Sequence, residues 1–268
     1  MDVTAQPDHR GQRVPPSLDA IVRLDVLDAE TVALLSLLVE GRVPLIVAGA
    51  GDPAVRGSVL EALLSALPGE ARRVELAGPT EDFAWLPEAH ELGWRADGPT
   101  PRREALDRAD PSSGVLMLGD LGRGDPGSTW GGVVRIAVRA ISVGYGLAAT
   151  IEADGLDAVI DRLRAAPFRL TDDEISRLGV VVVLGAAHGD GIRVIAVHYI
   201  RPVARDMHGH VQRLGPAVLG TYDEAAGRFE HFGWGITPEL ALRVGRRSGD
   251  LELEQERRRA ELETGGRP

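Results

Sequence analysis

Residues 43–64 read VPLIVAGAGDPAVRGSVLEALL, and this stretch decides the fold. Its first part, residues 43–48, is a short apolar run rich in β-branched residues that stops at a glycine-bearing turn, as buried strands do. Apolar residues then recur at helical spacing from about residue 56 to residue 67, and Pro68-Gly69 ends the helix. A strand, a tight turn and a helix in this order are typical of an α/β domain.

The same alternation continues along the chain. We predict further strands at residues 73–77, 115–118, 147–151 and 180–184, and helices at residues 28–40, 133–143 and 156–165. Asp28 is the candidate N-cap of the first of these helices. Strands that alternate with helices predict a mainly parallel sheet with helices on both faces. Residues 192–200 and 220–232 instead have the pattern of antiparallel strands, which we expect to extend the edge of the sheet.

Composition excludes several kinds of chemistry. The chain has 268 residues, no cysteine and a net charge of −10, and all 30 basic residues are arginine. Disulfides, thiolate metal sites and cysteine nucleophiles are therefore excluded, as is any mechanism that needs a lysine. The negative charge opposes general attraction to nucleic acid phosphates, so we expect no nucleic acid partner.

The apolar runs are short. Residues 180–187 form one of the longest, far below the roughly 20 residues that cross a bilayer. Residues 1–17 contain charged residues and prolines where a secretory signal would have an apolar core. We expect a cytoplasmic protein without a membrane span.

The turn after the first strand is a candidate phosphate site. Strand, glycine turn and helix form the context of the loop G-x-x-x-x-G-K-[ST], whose backbone N–H groups hold phosphates. The candidate nucleotide-binding residues are Gly49, Gly51, Arg56, Gly57 and Ser58. Arg56 falls at the lysine position and Gly57 at the hydroxyl position, while Ser58 comes one residue too late.

Two neighbouring residues weaken this site further. Asp52 adds a negative charge that repels phosphate, and Pro53 removes a backbone donor from the loop. From the sequence alone, Arg56 is either a phosphate ligand or a solvated helix residue.

Three later motifs carry a resemblance to a known family. Residues 74–81 read VELAGPTE, residues 115–124 read VLMLGDLGRG, and residues 150–153 read TIEA. These motifs follow the glycine turn in this order. Together, over about residues 24–245, the chain resembles the traffic ATPases of type II and type IV secretion, type IV pilus and conjugation machines. The resemblance implies a RecA-like P-loop NTPase domain of three layers, with ATP and Mg²⁺ as ligands.

The resemblance also implies roles for individual residues. Asp120 stands at the family's catalytic glutamate position, and Glu81 is the acid that remains in the first acidic segment. Arg123 belongs to the arginine-glycine pair, and Arg162 to the arginine-leucine helix. Glu152 replaces a histidine of the family, so it places a negative charge where the family has an imidazole.

Three domain segments follow: a flexible arm at residues 1–20, the motor-type domain at residues 21–247, and a charged helix or tail at residues 248–268. Residues 250–263 are almost wholly charged, with leucines too sparse for a broad apolar stripe. This pattern favours a solvated or frayed helix over one that binds a partner. Residues 207–210 read MHGH, but no spacing on a helix supports zinc, so we predict no such metal site.

The missing lysine, the Asp52-Pro53 loop and the two family histidines replaced by Tyr145 and Glu152 favour a degenerate motor, a pseudo-ATPase that serves as a structural or regulatory subunit of a secretion or pilus system. Its partners are then components of that machinery, including an active ATPase relative, and they bring it to the inner face of the membrane. The alternative is an active ATPase in which Arg56 and Asp120 replace the usual lysine and glutamate. A third hypothesis is a binding module that uses an old phosphate pocket or a surface with Trp85, Trp94 and the charged helix.

Overall fold

The computed structural model describes residues 17–95, 110–122, 129, 131–186, 191–205, 207–208 and 210–265. Ten strands lie in this part of the chain: β1 Leu45–Gly49, β2 Arg72–Glu75, β3 Gly114–Asp120, β4 Gly146–Ile151, β5 Val180–Ala186, β6 Ile192–Tyr199, β7 Ala204–Arg205, β8 Val211–Gln212, β9 Ala217–Asp223 and β10 Arg228–His231. The α-helices in the same part are α1 Leu18–Arg23, α2 Ala29–Glu40, α3 Pro53–Leu64, α4 Gly132–Ala140, α5 Leu156–Arg164, α6 Asp172–Ile175, α7 Thr237–Arg243 and α8 Ser248–Gly265. Short 3-10 turns lie at Gly78–Thr80, Pro87–Ala89, Ile141–Val143 and Gly233–Ile236.

Eight strands form one mixed sheet in the order β10-β9-β6-β5-β1-β4-β3-β2. The five strands from β5 to β2 in this order are parallel, and β6, β9 and β10 add to them in antiparallel pairs. The predicted α/β class, with a mainly parallel sheet and antiparallel edge strands, is confirmed. Strands β7 and β8 form a separate two-stranded ribbon.

Helices cover both faces of the sheet, and alternate residues of β1 contact each layer. Leu45 and Val47 pack with helices α2, α3 and α8, while Ile46 and Ala48 pack with α4 and α5 on the opposite face. All five residues of β1 are buried, so the strand is apolar along its whole length, as expected for a central parallel strand.

The first predicted helix-strand-helix unit is confirmed with changed boundaries. Helix α2 begins after Asp28, whose Oδ1 accepts a hydrogen bond from the Thr31 amide, as its predicted capping role requires. Helix α3 begins at Pro53 and not near residue 56, because Asp52 caps it and proline suits the first helical position.

Helix α8 corrects the prediction of a solvated or frayed helix. Leu251 and Leu262 are buried in the same core as α2 and α3. The guanidinium of Arg258 pairs with Glu40 on α2 and donates a hydrogen bond to Ser36 Oγ at 3.1 Å. Arg246, before the helix, also pairs with Glu40, at 2.7 Å. The two buried leucines and these ion pairs hold the helix against α2.

Candidate functional site

The candidate site lies between two neighbouring parallel strands whose following helices lie on opposite faces of the sheet. Strand β1 leads into α3 on one face, whereas its neighbour β4 leads into α5 on the opposite face. Loops that leave two adjacent parallel strands toward opposite faces open a crevice at the carboxyl edge of the sheet, which is where open α/β sheets bind ligands. The turn after β1 and the carboxyl ends of β3 and β4 meet at this edge.

Arg56 fills the space beneath the turn. Its side chain is 2% exposed, although it comes from the first turn of α3. Nη1 donates hydrogen bonds to the carbonyl oxygens of Gly49 and Gly51, each at 2.9 Å. Nη2 donates to Asp120 Oδ1 at 3.0 Å. The guanidinium therefore binds the inner side of the turn, and of the two interpretations made from the sequence the solvated helix residue is wrong.

Asp120 is the second half of this arrangement. It ends β3 and is 26% exposed, and its Oδ1 also accepts a hydrogen bond from Thr150 Oγ1 on β4 at 2.7 Å. Thr150 lies opposite Asp120 on β3 and opposite Val47 on β1. The threonine thus lies between the acid and the central strand and helps to hold the carboxylate toward Arg56.

Thr129 forms hydrogen bonds with the carboxyl end of β3. The Thr129 amide donates to the carbonyl oxygen of Asp120 at 2.9 Å, and Thr129 Oγ1 donates to the carbonyl oxygen of Leu118. Thr129 is 1% exposed. Sequence analysis did not identify Thr129, because a lone threonine in a glycine-rich stretch carries no local signal of burial.

Asp52 occupies the amino terminus of α3. Its Oδ1 accepts a hydrogen bond from the Ala54 amide at 2.8 Å, and its carbonyl oxygen accepts one from the Val55 amide at 3.2 Å. Residues 50–54 are exposed, so this carboxylate faces solvent at the end of the helix where an anion would bind. The protein supplies its own anion at that position.

The other loop candidates offer little to a phosphate. Ser58 Oγ donates to the Ala54 carbonyl oxygen at 2.8 Å within α3. A side chain at Gly57 would meet no atom within 4 Å, and the same holds for Gly51, whose φ of +83° favours glycine. At Gly49 an added Cβ would come within 2.9 Å of Leu184 Cβ, so this glycine lets β1 pack against β5.

Of the remaining predicted residues, those that the structure describes form no hydrogen bond or ion pair with Arg56 or Asp120. Glu81 is 6% exposed, and its carboxylate accepts hydrogen bonds from the amides of Ala77 and Phe83 and from Trp85 Nε1. Glu152 and Arg162 are exposed. Arg123 lies outside the described residues. Within the described ranges, no group of three or more acidic or histidine side chains is placed to hold a metal ion.

Aromatic side chains pack beside Glu81. The ring centroid of Phe83 lies 4.9 Å from that of Trp94 and 5.9 Å from that of Trp85. Both tryptophans pack against the hydrophobic core to which α4 contributes. Glu81 therefore orders the loop that carries this cluster. The two tryptophans are partly buried.

No model of a protein family and no curated protein matches the chain. Among solved structures, the chain is similar to the crystal structure of the VirB11 ATPase from the Brucella suis type IV secretion system in complex with sulphate, with a TM-score of 0.41 and 19% sequence identity. That similarity covers 62% of this chain and 50% of the other, so the chain spans half the length of the protein it matches. Among the described helices, none is long and apolar enough to cross a membrane.

Proposed function

We propose that this chain is a motor-family domain that has lost ATP hydrolysis and acts as a structural or regulatory subunit of a secretion or pilus system. The observation that carries the proposal is the buried contact of Arg56 with Gly49, Gly51 and Asp120. In a phosphate loop the basic residue must reach the nucleotide. Here the basic side chain holds the turn and the acid together instead.

The position of the motifs supports the family part of the proposal. The glycine turn, Asp120 and Thr150 come from three separate motifs of the sequence, yet they lie at one edge of the sheet and bond to one another. Residues 21–247 then form the motor-type domain, and residues 248–268 carry the helix α8 that docks on α2. An active relative is the partner that this proposal implies.

Charge supports the loss of activity. An ATP phosphate approaching α3 meets the carboxylate of Asp52 at the helix end. Releasing Arg56 toward that phosphate would break its three hydrogen bonds and leave Asp120 without its basic partner, and a charge left without its partner at such a partly buried site is costly. The amino terminus of α3 is therefore occupied by Asp52, and Arg56 is bound to the turn and to Asp120.

A turnover assay tests the proposal. Purified chain should hydrolyse ATP with Mg²⁺ no faster than a preparation of the Asp120→Ala variant purified in the same way. Turnover above that background that is lost in the variant would favour the alternative, an active ATPase of a type II or type IV secretion or pilus system. Co-purification with an active relative, lost when helix α8 is undocked by Leu251→Ala, tests the subunit role separately.

A further inference from the structure

The strand β10 forms an open edge of the eight-stranded sheet. It pairs with β9 on one side, and among the described strands none pairs with it on the other side. An unpaired edge strand presents backbone N–H and C=O groups to which a strand of another chain can bind. The edge at β10 is therefore a place where the sheet can be extended.

The hydrogen bonds to β9 determine which residues of β10 face the open side. Just after the strand, the Phe232 amide donates to the carbonyl oxygen of Leu219 at 2.8 Å. Bonded and non-bonded pairs alternate along antiparallel strands, and the register of the two strands is regular. It is therefore Phe229 and His231 whose backbone N–H and C=O groups point away from β9.

The exposed side chains of β10 carry opposite charges. Arg228 and Glu230 are both exposed, and within the described part of the chain neither side chain forms an ion pair or a hydrogen bond. Phe229, between them, lies on the other face and is buried in the core beside Tyr222. Charges on an edge strand usually prevent pairing, so the partner of this strand must bring the complementary charges.

A second copy of β10 brings them in one register. Two antiparallel registers join the outward backbone groups and keep three residues of each four-residue strand paired. In the first, Phe229 lies opposite Phe229 of the second copy, and Arg228 of each copy lies opposite Glu230 of the other. In the second, Glu230 lies opposite Glu230 of the second copy. Opposite charges across two strands stabilise the pair and like charges destabilise it, so the first register is favoured.

We propose that β10 pairs antiparallel with β10 of a second copy of this chain, centred on Phe229, so that the two sheets become one. The two Phe229 residues exchange backbone hydrogen bonds, and two ion pairs between Arg228 and Glu230 flank them. The same register brings Phe232, which is 41% exposed, toward the exposed Ala226 in the turn of the second copy. This interface does not depend on nucleotide binding at Arg56.

Sedimentation velocity of the full chain tests for the dimer. The concentration should run from roughly 2 μM to roughly 200 μM, since so small an interface is expected to be weak. We expect monomer at the low end and dimer at the high end, with a Kd that rises with NaCl because the ion pairs are exposed. A chain that stays monomeric over the whole range would overturn the proposal.

Charge reversal locates the interface. Arg228→Glu and Glu230→Arg each place like charges opposite one another, so each variant alone should dimerise at least about 10-fold more weakly. An equimolar mixture of the two variants should form a heterodimer with nearly the wild-type affinity, because opposite charges meet again. Glu70→Arg is the matched control, since Glu70 is exposed in the turn before β2 at the other edge of the sheet. A dimer that both reversals leave unchanged, or a mixture that stays monomeric, would contradict the assigned interface.

Introduced cysteines test the register, because the chain has no cysteine of its own. Facing residues of a non-hydrogen-bonded pair lie within the range of a disulfide. Under oxidation, a mixture of Arg228→Cys and Glu230→Cys should therefore cross-link about 10-fold or more faster than either variant alone, because pairing raises the effective concentration. Faster cross-linking of Glu230→Cys with itself would show the second register and contradict the proposal.

Discussion

The Nη2 of Arg56 lies 3.0 Å from Oδ1 of Asp120, and the same guanidinium donates to the carbonyl oxygens of Gly49 and Gly51. One side chain thereby joins the carboxyl end of β3 to the turn that follows β1. The positive charge expected to meet a phosphate is used inside the protein. The arginine therefore has a structural role, since it links the turn to the acid.

Arg56→Ala should lower the free energy of unfolding by about 3 kcal/mol, because it removes three hydrogen bonds and leaves Asp120 without its partner at a partly buried position. Urea unfolding followed by circular dichroism measures the change. Arg162→Ala is the control, since Arg162 is exposed on α5, and it should change stability by no more than about 0.5 kcal/mol. Equal effects of the two variants would contradict a structural role for Arg56.

Asp52→Gly should make the amino terminus of α3 available to anions. The variant loses the capping bond to the Ala54 amide, and glycine is itself a tolerated cap, so the loss of stability should be only a few tenths of a kcal/mol. Added phosphate should then raise the unfolding midpoint of the variant more than that of the wild type, because the helix end attracts negative charge. Thermal unfolding with sodium phosphate, against sodium chloride at equal ionic strength, measures this, and equal shifts in both proteins would refute the capping argument.

Leu251→Ala tests whether α8 is docked. Leu251 is 1% exposed and packs in the core with α2, so the truncation should cost about 2–5 kcal/mol. Leu253, two residues along the same helix, is 74% exposed, and Leu253→Ala should change stability by less than about 0.5 kcal/mol. Similar small effects of both variants in chemical unfolding would show that α8 is solvated after all.

The contact of His231 with Asp28 predicts a pH dependence. The hydrogen bond that the His231 imidazolium donates to Asp28, together with the negative charges of Asp28 and Glu30, raises the pKa of His231 despite burial and the nearby Arg259. Burial raises the pKa of Asp28, but the hydrogen bonds and charge of His231 and the bonds from Thr31 together lower it. The contact therefore stabilises the fold fully between the ordinary pKa values of 3.8 and 6.5.

The contribution falls on both sides of that window. As pH rises through the raised pKa of His231, the imidazolium is lost, and as pH falls through the lowered pKa of Asp28, the carboxylate is lost. His231→Gln should cost about 1 kcal/mol near pH 5.5, as expected for one half-exposed charged hydrogen bond, and less at pH 9. His198 provides a contrast, because burial lowers its pKa and its protonation at low pH should destabilise the fold. A pH-independent effect of His231→Gln would contradict this account.

Much of the fold could be predicted from local patterns. The parallel strands and their helices follow from short β-branched runs, glycine turns and helical spacing of apolar residues. Asp28 was recognised as a helix cap, but Asp52 and Pro53 were interpreted as defects of a phosphate loop. In the structure they begin α3, because an aspartate followed by a proline is also a good helix start.

The rest depends on contacts distant in sequence. Helix α8 has few leucines, and its docking depends on Glu40 and Ser36 of α2, which no local pattern reveals. The burial of Arg56 follows from the placement of Asp120 and Thr150 by two other strands. The sequence assigned these residues to separate motifs, and no local pattern predicted that their side chains would bond to one another.

The most direct test of the central claim is thermal unfolding of the purified chain with and without ATP and Mg²⁺ at about 5 mM, a concentration chosen so that even weak binding is visible as linkage. With Arg56 bound to Asp120 and Asp52 at the end of α3, we predict the same unfolding midpoint as in a salt control of equal ionic strength. Binding with a Kd 100-fold below the ligand concentration would stabilise the native state by about 2.7 kcal/mol. A rise of that size, absent in Arg56→Ala, would contradict the claim that the protein's own side chains fill the site.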